Sequence, residues 1–432
     1  MPKNQITNLL QNQIDTTVFQ KIYGHNPSVI AEQIKRYTYL ADRHNEIFAA
    51  SPALFFSAPG RTEISGNHTD HNHGKVLAAS VDLDSIAAVN AINGNQITIF
   101  SEGYPQPFIV DINQCSPVEA ERGTTTALVR GIVARFKELG LRVGGFNATV
   151  TSNVLVGSGL SSSASIEVLL GTIMNYLFND GQIAAEDIAL IGQFAENQYF
   201  GKPCGLMDQL AIAVGGVVAI DFKNPSKPII QKVNYDPEQQ NYSWLIVNTG
   251  TSHVNLTEEY AAIPREMRAV ARALGGQVCR DITMQNLIEE IPNLRPKVGD
   301  RAILRAFHFL TENERVQQQI SALEKGDFAA FLELANESGT SSCRWLQNCY
   351  PTSNPTEQGV PLALALTQYF LKMVGKKGAC RIQGGGFAGT ILVFIPNEVL
   401  SDYLKLITKV FNEGSISQLN IRPIGAVCLN KI

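Results

Sequence analysis

Residues 154–165 read VLVGSGLSSSAS, and no other segment limits the fold as strongly. Small residues let a backbone turn tightly and approach a ligand. Apolar residues then follow at helical spacing: Ile166, Leu169, Leu170, Ile173 and Leu177. A glycine–serine turn therefore delivers the chain into a long helix. The free N–H groups and positive dipole end of such a helix suit a phosphate. Ser161, Ser162 and Ser163 add hydroxyls that can reach phosphate oxygens or Mg2+, and Glu167 in the first turn can hold Mg2+ directly or through water. A helix cap with a flexible lead-in explains the same residues. A P-loop is excluded, because no lysine follows in the G-x-x-x-x-G-K-[ST] spacing, and no G-x-G-x-x-G opens the helix.

Around this turn, helices and strands mix without the regular alternation of a doubly wound sheet. The pattern predicts helices over 26–49, 126–139, 256–274, 299–324 and 361–374. Asn26 and Pro27 supply a cap and a first helical residue. Strands are expected over 53–57, ending at Pro59-Gly60, over 145–155 and over 244–247. Residues 379–395 hold two more strands around a glycine-rich bend. Residues 85–100 read as a hairpin about Asn93-Gly94. The polar stretch 223–243, with three prolines, is the most loop-like segment near mid-chain. A boundary there divides the chain into halves, 1–225 and 226–432.

The chain has 432 residues, 44% of them hydrophobic and 17% charged, which makes it globular rather than disordered. Its net charge of −4 gives no basic excess for nucleic acid. The longest apolar run, 210–220, is about half of the ~20 residues that a membrane span needs. The polar N-terminus lacks a signal-peptide pattern, so a cytoplasmic protein without membrane contact is expected. Seven cysteines with no C-x-x-C spacing read as reduced thiols.

Three further segments carry polar chemistry. In SAPGRTEISGNHTDHNHGKVL (57–77), Arg61, Glu63, Asn67, His68, Asp70, His71 and His73 follow a strand. A hydroxyl-rich substrate pocket, a plain surface loop and, remotely, a metal site are the readings. In the apolar stretch CGLMDQLAIAVGG (204–216), Asp208 is costly unless paired. It caps a helix, or it is a general base kept ionised by Arg61. In GACRIQGGGFAGTILVFIP (378–396), the glycines form a bulged hairpin or a second wall supporting a phosphate loop.

Together these segments resemble the GHMP family of small-molecule kinases, and within it the galactokinases. GRTEISGNHTDH (60–71) is similar to the signature GR-x-N-x-I-G-E-H-T-D-Y, GLSSSAS (159–165) to the phosphate loop, and GGGFAG (384–389) to the usual GGGFGG. CGLMDQ (204–209), NTGTSH (248–253) with EEY (258–260), TENERV (311–316) and PIGA (423–426) add to the ordered set. The resemblance implies a mixed α/β (α+β) fold of two domains with the active site in the cleft between them. It implies an ATP-dependent sugar-1-kinase using Mg2+, acting on galactose as a monomer or weak dimer. Asp208 would take the proton of the anomeric hydroxyl, with Arg61 as its charge partner. Gly157, Gly159, Leu160, Ser161, Ser162, Ser163, Ala164 and Ser165 would bind ATP, and Ser162 with Glu167 would bind Mg2+. Asn67, His68, Asp70 and Tyr260 would hold the sugar, Asn67 at the 6-hydroxyl. The chain departs from the pattern at Thr62-Glu63, Asn67 and His71, and the family's S-H-x-S-L-R-D segment is not recognisable near 336–345. A kinase for a galactose derivative or arabinose, and a non-catalytic sugar and ATP sensor, are the alternatives. If the contact at residue 67 has merely weakened, Asn67→Glu should strengthen galactose use.

Overall fold

The computed structural model describes residues 15–154, 157, 159–202, 204–235, 240–250 and 256–432. The N-terminal stretch read for targeting signals, three residues of the glycine–serine turn and part of the NTGTSH segment lie outside the described residues. The strands are β1 (Leu54–Ser65), β2 (Lys75–Ala91), β3 (Gln96–Ser101), β4 (Phe108–Asp111), β5 (Phe146–Ser152), β6 (Val217–Asp221) and β7 (Ile229–Val233). They continue with β8 (Tyr242–Asn248), β9 (Ala379–Ile382), β10 (Thr390–Pro396), β11 (Ile416–Leu419) and β12 (Val427–Cys428). One sheet runs β12-β1-β2-β5-β3-β4, with β6 and β7 added along the first half of β2; the other runs β11-β8-β10-β9. The mixed α/β expectation holds.

The expected helices form as Pro27–Phe48, Thr125–Glu138, Thr257–Ala273, Asp300–Glu324 and Gly359–Met373. Asn26 caps the first by accepting from the Ser28 N–H at 3.0 Å. Three expectations change. The segment 85–100 is not a hairpin: β5 lies between β2 and β3, antiparallel to one and parallel to the other. The Asn93-Gly94 turn instead opens the gap that β5 enters. Gly145 leads β5 in with no room for a side chain, since a Cβ there would lie 2.5 Å from the Gly94 carbonyl. Second, the loop-like stretch 223–243 contains β7, paired to β6. Third, β1 does not stop at Pro59-Gly60 but shifts register there and continues to Ser65. Proline is accommodated because the bulge leaves the ladder irregular at that point.

The shift sets what each face of β1 touches. Before it, Phe56 and Ala58 face the core under the helix Ser162–Phe178, whereas beyond it Ile64 joins the core of the second sheet with Leu392 and Phe394. The cysteine expectation also changes. Cys343 and Cys349 form a disulfide, their Cα atoms 5.4 Å apart. A π-turn over Ser342–Leu346 and a left-handed Gln347 fold six residues back on themselves, a geometry that C-x-x-C counting does not see. Cys279 and Cys380 are free and buried, and burial pushes both thiols up to about 12. Among the described residues, no helix is long and apolar enough to cross a membrane.

A buried charge network ties the ends of the chain to the first sheet. Asp84 accepts from Arg36 Nη1 at 2.5 Å, from Tyr23 Oη at 2.6 Å, from Ser57 Oγ at 2.5 Å and from Arg422 Nη1 at 3.2 Å. Burial opposes its charge, yet Arg36 and Arg422 hold its carboxyl below the ordinary value. Asp84→Ala leaves the buried Arg422 without its carboxylate and should cost about 3–5 kcal/mol in urea unfolding. Because the folded-state value is depressed, this stabilisation is present above the unfolded value, roughly pH 4, and lost as pH falls through the folded one. The stability gap between wild type and variant should therefore narrow on acidification below about pH 4.

Candidate active site

The glycine–serine turn enters its helix through left-handed backbone at Gly157, Gly159 and Ser161. Gly159 is required for a steric reason as well. A Cβ there would lie 2.2 Å from Thr390 Oγ1 and 2.8 Å from Gln383 Nε2. Thus β9 and β10, the strands flanking the glycine-rich bend, back the turn directly. Thr62 Oγ1 donates to Gln383 Oε1 at 2.6 Å, so β1 is fastened to the same wall. Ser161, Ser162 and Ser163 are partly exposed at the helix start. Gly157 is exposed and makes no close approach. Leu160 and Ala164 are buried, and Ser165 Oγ turns inward to the Ala58 carbonyl at 3.0 Å. Those three can serve a phosphate only through the backbone.

The register shift in β1 delivers Arg61 to the turn. Its N–H donates to the Leu160 carbonyl at 3.0 Å. Its guanidinium makes a two-point bond to Asp208, Nε to Oδ1 at 2.6 Å and Nη2 to Oδ2 at 2.7 Å. The remaining arm, Nη1, donates to the Gly159 carbonyl at 2.6 Å. Ser161 Oγ donates to Asp208 Oδ2. Asp208 sits in the first turn of the helix Met207–Val214, its side chain 30% exposed. Burial favours the neutral acid, but Arg61 and then the Ser161 hydroxyl outweigh it and hold the carboxyl below the ordinary value. Asp208 is thus an ionised, partly exposed acceptor at the mouth of the turn.

The loop after β1 meets this centre from the other side. Asp70 Oδ2 stands against Gly205, where a Cβ would lie only 1.6 Å away, so Asp70 packs on the segment that leads to Asp208. His68 Nε2 bonds the Gly385 carbonyl at 2.8 Å. Tyr260 Oη donates to the Gly386 carbonyl at 3.1 Å, and burial pushes the phenol up to about 12. Asn67 differs from expectation. It is fully buried, and its amide bonds Glu63, Gly384 and Asn348 rather than facing the opening.

Glu167 is also enclosed. Burial, with Glu196 beside it, pushes its carboxyl well above the usual range, and its Oε1 is buried without a hydrogen-bond partner. Gln209 Nε2 bridges the two acids, 2.9 Å from Glu167 Oε2 and 3.1 Å from Glu196 Oε2. Glu196, which sequence reasoning passed over, accepts from Ser163 Oγ and from Lys202 Nζ, each at 3.3 Å. Its signal was hidden by a π-turn over Glu196–Phe200, which breaks the 3.6-residue period. Gln383, Thr390, Asn348 and Arg381 were missed as well, since only the fold brings their distant segments to this centre.

Known proteins match in the same places. The GHMP kinases N terminal domain matches residues 127–216, and the galactokinase galactose-binding signature matches residues 42–91. A galactokinase from Glaesserella parasuis is 31% identical over 88% of this chain and 94% of its own length. The chain belongs to the galactokinase family of GHMP kinases. A galactokinase from Mannheimia succiniciproducens is likewise 31% identical, over 84% of this chain and 90% of its own. The fold is that of a Lactococcus lactis galactokinase complexed with galactose, with TM-score 0.77 and 23% identity, covering 91% of this chain and 99% of that one. A mevalonate kinase from Methanococcus jannaschii shares the fold at TM-score 0.60 and 14% identity, over 85% and 98% of the two chains.

Gly159→Ala should remove most activity in an ADP-release assay and lower the thermal midpoint measurably. The added methyl has to displace Thr390 and Gln383, and a left-handed backbone strains any side chain.

Proposed function

We propose that the chain transfers the γ-phosphoryl group of ATP to the anomeric hydroxyl of galactose, giving galactose 1-phosphate and ADP. The observation that carries this reading is the shared guanidinium: Arg61 holds the ionised Asp208 and the Gly159 carbonyl of the phosphate turn at once. The sugar oxygen attacks the γ-phosphorus, the bond to the β-phosphate bridging oxygen breaks, and Asp208 accepts the hydroxyl proton. Arg61 offsets charge on the moving group. Such chemistry depends mostly on alignment and charge stabilisation. Ser161, Ser162 and Ser163, with the N–H groups of the first helical turn, hold the phosphates, while His68, Asp70 and Tyr260 line the sugar side. The cleft between the halves 1–225 and 226–432 is part of the same reading.

For Mg2+, the donor chemistry favours Glu196 over Glu167. Both acids are buried, but Glu196 lies beside the Ser163 hydroxyl at the helix start, the two offering hard oxygen donors of the kind Mg2+ takes, whereas burial and the neighbouring Glu196 favour the protonated form of Glu167. A bound Mg2+ would neutralise charge on the phosphate oxygens. Glu196→Gln should raise the Mg2+ concentration needed for half-maximal rate by about tenfold, and Glu167→Gln should do so much less. A larger effect of Glu167→Gln would return the metal to Glu167.

A coupled ADP-release assay over galactose, galactose derivatives and arabinose tests the substrate. Turnover with galactose is expected. Turnover only with another sugar would favour the related-kinase reading, and saturable sugar binding without ADP release a sensor. Asp208→Asn should lower kcat by about 10²–10⁴-fold with ATP affinity nearly unchanged. Near-normal turnover would remove Asp208 from the mechanism.

A further inference from the structure

Behind the sugar-facing loop lies a buried polar cluster around the ion pair of Glu63 and Arg381. Glu63 on β1 and Arg381 on β9 are both buried, and Arg381 Nη2 donates to Glu63 Oε1 at 2.9 Å. Arg381 Nη1 also donates to the Glu63 carbonyl at 2.9 Å. The same carboxylate accepts from Asn67 Nδ2, at 2.9 Å to Oε1 and 3.2 Å to Oε2. Asn67 passes the connection on. Its Nδ2 donates to the Gly384 carbonyl at 2.7 Å, its Oδ1 accepts from Asn348 Nδ2 at 2.6 Å, and its main-chain carbonyl bonds His308 Nε2 at 3.0 Å. Asn348 is held in turn by the Phe387 N–H on its carbonyl and reaches the Gly385 carbonyl at 3.3 Å. The loop bearing His68 and Asp70 is therefore clamped to the glycine bend through one amide, and that amide is aimed by one carboxylate.

The motif suggests how such a cluster is composed. The galactokinase pattern carries Asn at the position of Glu63 and Glu at that of Asn67; here the two types are exchanged between side chains in direct contact. One carboxylate and one amide remain. Arg381 is the cation that bonds Glu63, against the burial that raises its carboxyl, and the neighbouring buried Glu312 is bonded by Arg315. A second carboxylate at residue 67 would sit within hydrogen-bond distance of the first in a buried place, and both could not stay ionised. A neutral residue at position 63 alone would leave the buried Arg381 without the carboxylate that bonds it.

We propose that Glu63 is a positioning residue for the sugar subsite, acting through Asn67, and that the Glu63–Asn67 pair works as one unit whose members can be exchanged together but not singly. The proposal rests on His68 and Asp70 facing the sugar. It reverses the expectation for Asn67→Glu, which here should weaken sugar use.

The experiment compares full-length wild type, Glu63→Asn, Asn67→Glu and the double exchange, measuring KM for galactose, KM for ATP and kcat. Each single variant should raise the galactose KM by about tenfold or more and leave the ATP KM within about twofold, and the double exchange should bring the galactose KM back within about threefold. A structural defect would move both constants together. If the single variants do not fold, soluble double-exchange enzyme with near-wild-type galactose KM gives the same support. Additive losses, a double variant worse than either single, or parallel changes in both KM values would overturn the proposal while galactose kinase activity stands. Absence of turnover in wild type would overturn both.

Discussion

One guanidinium organises this molecule. Arg61 spends all three of its nitrogen arms within the site, two on Asp208 and one on the Gly159 carbonyl. The same residue therefore fixes the charge state of Asp208, its orientation and its distance from the glycine–serine turn. Forked, two-point bonding is a property of arginine that lysine does not share. Arg61 is the largest influence against the burial that favours the neutral form of Asp208, followed by the Ser161 hydroxyl and Lys202.

Placing that guanidinium takes contributions from both sheets. β1 carries it, the turn before the helix Ser162–Phe178 receives it, and Gln383 and Thr390 of the second sheet press on the turn from behind. The two sheets meet through polar contacts as well as apolar packing: Thr62 to Gln383, Glu63 to Arg381, Asn67 to Gly384. Buried polar groups of this kind are expensive unless each has a partner, and they permit few alternative arrangements.

The sequence made the local parts readable and left the long-range ones hidden. Helical spacing gave the helices because the period is a property of neighbours, and Asn26 capped its helix as its chemistry dictates. Arg61 with Asp208 was legible because an acid in an apolar stretch demands a cation. The Asn93-Gly94 turn misled because a tight turn says where the chain bends and not which strand fills the space beside it; Gly145 and β5 settled that. Asn67 was expected at the sugar because its motif position suggested it, yet its amide is used up by Glu63, Gly384 and Asn348, two of them more than 200 residues away in sequence. Glu196 was masked by a π-turn, and the Cys343–Cys349 pair by another.

The irregularity at Pro59-Gly60 has a consequence for how the gene of such a protein can change. Side chains along a strand alternate between faces; here β2 passes over Asp82 and Leu83 between the pairs Pro59–Asp84 and Gly60–Val81, and the occupants of the two sides of β1 change over. Upstream, the even positions Phe56 and Ala58 share a core with Leu206 and Leu210; downstream, the odd Arg61 points to that side and the even Ile64 to the other. A one-residue slip of β1 against β2 at this point would turn Arg61 away from Asp208, whereas a substitution elsewhere in the strand changes the surroundings of one side chain.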